Sequence, residues 1–97
     1  MADSSIIVKI MGLTRAEFMA SLAGLDRQAR LGDDDRVGLK MPEGVLHITF
    51  EALPHRVLGG LVRMPQARVT LDVTGITSAQ RATVLRRFDI AFQRGGG

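Results

Sequence analysis

His47, Glu51 and His55 are the first residues to ask about chemistry, because imidazole and carboxylate are the usual ligands of zinc and related metals. Strand alternation places His47 and Glu51 on one face, and four residues of strand separate them by about 13 Å. Bound zinc needs its ligands within about 2 Å of the ion. A site would require His55 to turn back beyond Pro54. The plainer reading is a solvated sheet face carrying His, Thr and Glu.

Other chemistry has less to start from. Asp33-Asp34-Asp35 lacks the alternating oxygen ligands and late glutamate of a calcium loop, and it reads as a polar loop. Gly59-Gly60 matches neither a Walker loop nor a dinucleotide loop, and a bulge or a close backbone approach explains it. Ser4, Ser5, Ser21 and Ser78 sit in no nucleophile elbow. Asp72 and Glu51 could in principle meet across strands as an acid–base pair, but cross-strand surface carboxylates are commonplace and nothing marks these two. The sequence holds no Cys, so disulfides, thiolate metal sites and thiol catalysis are excluded. No cofactor is expected.

Arginine is the remaining chemical resource. Arg56, Arg63, Arg68, Arg81, Arg86, Arg87 and Arg94 all lie in the second half. The net charge of +3 divides unevenly: residues 1–53 hold 6 basic and 8 acidic groups, and residues 54–97 hold 7 and 2. A basic face of this kind suits an acidic protein or a nucleic-acid backbone. Single-stranded nucleic acid is usually also met by exposed aromatic rings. This chain has no Trp and no Tyr, and its 4 Phe fall at core-like positions.

The elements that would position these residues follow from periodicity. Ser5 to Met11 is a strand, and its near-continuous apolar character points to an internal strand covered on both faces. Thr14 and Glu17 form a capping box, flanked by a staple of Leu13 and Phe18. The helix they begin carries Phe18, Leu22, Leu25 and Ala29 at helical spacing, with Gly32 as its terminator and Gly24 as a possible early stop. Residues 36–41 and 45–51 form a hairpin across Met41-Pro42-Glu43-Gly44. Leu46, Ile48 and Phe50 face inward; His47, Thr49 and Glu51 face outward. Residues 67–74 are a strand with Val69, Leu71 and Val73 inward. Thr77 and Gln80 mark a second capping box, and the helix after it buries Val84, Leu85, Phe88, Ala91 and Phe92.

Residues 53–66 admit two readings. Val57, Leu58, Leu61 and Val62 have helical spacing, which gives a ferredoxin-like βαββαβ core with an added C-terminal helix. Gly59-Gly60 opposes a helix. The prolines at 42, 54 and 65 recur at the turn spacing of an antiparallel meander, and the meander is preferred. The expectation is one α+β domain over 1–97, with 94–97 as a tail: a mainly antiparallel sheet of four or five strands and two helices on one face.

For function the sequence supports a ranking. First is a non-enzymatic cytoplasmic module that binds an acidic protein partner, or itself, through the Arg-rich C-terminal helix or a sheet edge. Second is a nucleic-acid-binding module using the same arginines. Third is a small-ligand or metal-binding domain around His47, Glu51 and His55. No apolar run approaches the roughly 18 residues of a membrane span, so no membrane partner is expected.

Overall fold

In the computed structural model the chain runs β1 (Ile6–Met11), α1 (Arg15–Leu22), β2 (Arg36–Met41), β3 (Gly44–Leu58), β4 (Val62–Asp72) and α2 (Ser78–Ala91). The structure describes residues 5–60 and 62–93. The strands form one antiparallel sheet in the order β1-β4-β3-β2. The fold class is therefore α+β, with both helices on one face of the sheet.

Alternation in β3 and β4 builds the core. Leu46, Ile48 and Phe50 of β3 are buried, as are Ala67, Val69 and Leu71 of β4. Phe18 and Leu22 of α1, with Val84 and Phe88 of α2, close over them. All four phenylalanines meet there. The Phe18 ring lies 5.0 Å from Phe50 and 5.2 Å from Phe92, both tilted, and Phe88 stacks on Phe92 at 4.2 Å. Tilted and offset contacts suit the ring quadrupole.

The ferredoxin-like alternative does not hold, because residues 53–66 are strand and turn rather than helix. The details of the meander also differ from expectation. Gly59 and Gly60 are not a bulge. They have φ of +62° and +75° and form the turn between β3 and β4, conformations that glycine adopts without a Cβ penalty. The bulge instead lies between Leu53 and Arg56, around Pro54. Proline has no N–H to give a ladder, so a bulge suits it.

Three further expectations need correction. Among the described strands β1 is at the edge of the sheet, not internal, and its ladder partner is β4. Its apolar run is covered on one face only. Next, α1 ends at Leu22, with Ala23 as its C-cap, rather than continuing to Gly32. A Cβ on Gly24 would stand 3.1 Å from the Ser21 carbonyl oxygen and 3.7 Å from the Ala91 Cβ, so α2 runs close at that point. Ala29 and Leu31 still reach the core from irregular chain. Lastly, Thr77 occupies the N-cap of α2 but its side chain makes no capping bond. The box at Thr14 and Glu17 is fully formed, with bonds of 2.8 and 3.1 Å.

Candidate interaction surface

The helices leave the opposite face of the sheet open, and the strand register fixes its composition. One row runs Gly38, His47, Asp72, Ile6. The next runs Arg36, Thr49, Thr70, Val8. The third holds Glu51, Arg68 and Ile10. Charge and hydroxyl thus fill the middle strands, and β-branched apolar side chains fill the β1 side. Ile6, Val8 and Ile10 are 46%, 54% and 55% exposed.

The two edges of the sheet differ. At β2 the open face shows Arg36 and Lys40 on either side of Gly38. Charged residues of this kind hinder pairing with another strand. β1 has no charge on its open face and no proline. Its one cation, Lys9, points to the helical side, where its ammonium lies 3.2 Å from Asp89 of α2.

The titration of Asp72, on this face, is displaced downward. Its carboxylate accepts a hydrogen bond from the Thr74 hydroxyl and another from the Thr74 N–H, at 2.9 Å for the latter, and both hold its pKa below the ordinary 3.8. His47 and Arg81 act in the same direction more weakly. A depressed carboxylate stabilises the fold above its unfolded pKa and loses that contribution as pH falls through its folded value. Asp72→Asn is therefore expected to flatten part of the stability loss below about pH 4. Urea unfolding between pH 2 and 7 checks this. The change is small because the side chain meets solvent.

The candidate metal ligands do not converge. His47 lies across from Asp72, Glu51 pairs with Arg68, and His55 lies within the bulge between Leu53 and Arg56. Among the described residues no three His, Asp or Glu form a group able to hold a metal ion. Asp34 and Asp35 serve their own loop: Asp34 accepts the Arg36 N–H, and Asp35 pairs with Arg15 at 3.0 Å. The Asp72–Glu51 acid–base pair is likewise not formed, since the two carboxylates stand in different rows.

Among the described residues the arginines stand at several separate places in the fold. Arg68 lies on the open face, bonded to Glu51. Arg81 donates to the Ile76 carbonyl at 2.9 Å. Arg87 reaches Glu43 in the β2–β3 turn at 2.8 Å. Arg86 lies exposed on α2, behind the sheet. Arg56 and Arg63 stand on the far end of the β3–β4 hairpin, and Arg94 lies outside the described residues. Beside Arg87, a shallow groove of about 320 Å³ has Leu25, Met41, Pro42, Ile90 and Ala91 as its apolar lining, with Lys40 at its edge. This is at the small end for a ligand site.

Sequence reasoning missed the β1 row and the far hairpin. Both consist of apolar residues of ordinary core type, and only the sheet order shows which of them stay outside. No helix among the described residues is long and apolar enough to cross a membrane. Comparison with protein-family models, curated proteins and solved structures finds no match to this chain.

Proposed function

We propose that this chain is a non-enzymatic interaction module that associates with a second copy of itself through β1. The observation that supports the reading is the contrast between the edges. β2 carries cations on its open face, whereas β1 carries Ile6, Val8 and Ile10. Around Val8 and Ile10 an edge strand of this kind offers its outer backbone groups to another strand. Two-fold pairing about Val8 would set Val8 against the partner's Val8. β-branched cross-strand pairs contribute roughly 0.2–1 kcal/mol each. A two-fold pair is also the commonest assembly, since one self-complementary strand suffices. A cytoplasmic setting goes with this reading, because a chain without cysteine gains nothing from an oxidising compartment.

The acidic-partner reading is weaker. Arg81 and Arg87 of α2 are engaged within the molecule, so little of that helix's charge is left to offer. Sedimentation velocity over a concentration series tests the proposal. The expected result is a dimer that Val8→Lys weakens at least about tenfold, with circular dichroism unchanged because Val8 is exposed. A monomer at every concentration would overturn it. So would a dimer indifferent to Val8→Lys.

A further inference from the structure

The part of the β3–β4 hairpin beyond Leu53 and Gln66 projects past the core. The last buried residues on its two strands are Phe50 and Ala67. A Cβ added to Gly59 or Gly60 would find nothing within 4 Å. Yet the tip is apolar: residues 57–62 read Val-Leu-Gly-Gly-Leu-Val. Val57, Leu58, Val62 and Met64 are 57%, 39%, 54% and 41% exposed. A solvated hairpin tip ordinarily carries Asn, Asp or Ser; this one carries none.

The charge of the arm is one-sided. No Asp or Glu occurs between Glu51 and Asp72. Among the described residues, neither Arg56 nor Arg63 has an acidic partner. The register then orders these residues along the arm. The outermost pair is Leu58 with Val62, the next Val57 with Arg63, and the third Arg56 with Met64. Residues paired across strands share a face, and successive pairs alternate. Arg56 and Arg63 therefore stand on opposite faces, as do Met64 and Val57. Polarity changes from tip to base and not from one face to the other.

We propose that this arm inserts tip-first into the surface of an anionic lipid bilayer. A nucleic-acid groove or a protein groove receives a ribbon by one face and would select cations, or apolar residues, on that face. A bilayer surface instead changes polarity along its normal. The Leu58–Val62 pair enters the boundary between headgroups and acyl chains, at the shallow depth typical of interfacial elements. Arg63 and Arg56 follow about 3 and 7 Å behind it, where their guanidinium groups snorkel to lipid phosphates. The expectation of no membrane partner was drawn from the lack of a spanning segment; an interfacial arm needs none. The inference is independent of β1 pairing.

The absence of Trp and Tyr makes a clean test available. Leu58→Trp places a single indole at the tip, and Ile90→Trp places one on α2. Each full-length variant is titrated with vesicles of phosphatidylcholine alone, or of phosphatidylcholine with phosphatidylglycerol. Leu58→Trp emission is expected to shift to the blue and to be quenched by brominated lipid, with the mixed vesicles only. Ile90→Trp emission stays unchanged. Removing both cations, by Arg56→Ser with Arg63→Ser, is expected to weaken binding about 20–30-fold, at about fivefold per charge. Circular dichroism confirms that the fold persists. No shift at low salt would overturn the proposal, as would a shift equal in both variants or in neutral vesicles. A shift given by duplex DNA but not by vesicles would assign the arm to nucleic acid. A shift that appears with protein concentration alone would assign it to a second copy.

Discussion

Replacing Phe18 by alanine is expected to remove about 3–5 kcal/mol of stability, the usual cost of truncating a buried aromatic. Phe18 is fully buried and its ring touches both Phe50 of β3 and Phe92 beyond α2. It is thus the joint between the sheet and the two helices. No neighbour can refill the space, since Phe50 is tied to a ladder and Leu22 already packs on the same face. A domain of this size holds only about 5–15 kcal/mol in total. At roughly 4–8 °C per kcal/mol, the thermal midpoint should fall by about 12–40 °C. Differential scanning calorimetry gives the number. Phe18→Leu keeps most of the volume and should recover more than half of the loss. A Phe18→Ala variant that melts within a few degrees of the parent would show that the ring cluster is not the joint described.

Gly44→Ala is the second large effect, and its cause is backbone. Gly44 has φ of +140°, a region that an L side chain enters only with strain. Its Cβ would stand 2.3 Å from the Gly75 carbonyl oxygen, and 3.2 Å from both the Gly75 carbonyl carbon and Ile76 Cγ1. The nearest obstacle is main chain, so no rotamer change relieves it. The β2–β3 turn would have to move off the segment leading into α2, breaking the bridge between Gly44 and Ile76. Strain and overpacking together are expected to cost about 3–5 kcal/mol. Gly59→Ala is the matching control. Its φ is +62° but its surroundings are open, so only the left-handed penalty of about 1–2 kcal/mol applies. Urea unfolding with constant m-values separates the two. Equal midpoints for both variants would refute the close-approach account.

Much of this architecture is legible in the residues. Alternation alone identifies the inward side of β3 and β4, because each strand has one buried face. Helical spacing identifies Val84, Phe88 and Phe92, and the Thr14–Glu17 box marks the start of α1. The errors share a cause. Ile6-Ile7-Val8 reads as a strand covered twice, since β-branched residues seldom face water in a row. Its edge position depends on β4 arriving from the other end of the sequence, and no local pattern records that. Leu25 and Ala29 sustain a helical stripe past Gly24, but α1 ends at Leu22, and Gly24 lies against Ala91 of α2. Pro54 and Pro65 look like turn residues because proline punctuates most chains. Here they lie within the strands on the inner side of Arg56 and Arg63, while the glycines turn the chain. For the candidate site, the metal-like residues were legible as types but not as neighbours. The apolar edge and the apolar tip had no signature at all, because valine and isoleucine announce a core by default.

The sheet order also sets a sequence of events in time. β2 with β3, and β3 with β4, are neighbours in the chain and close through short turns. β1 is different: Ile6 pairs with Asp72 and Met11 with Ala67, so its ladder closes a loop of about 55–65 residues. Loops of that length close slowly and late. During synthesis β1 emerges ahead of β4 and waits for it, with chain growing at roughly 5–20 residues per second. For those seconds the Ile-Ile-Val segment lacks its native partner strand, and an unpaired apolar strand is prone to mispairing.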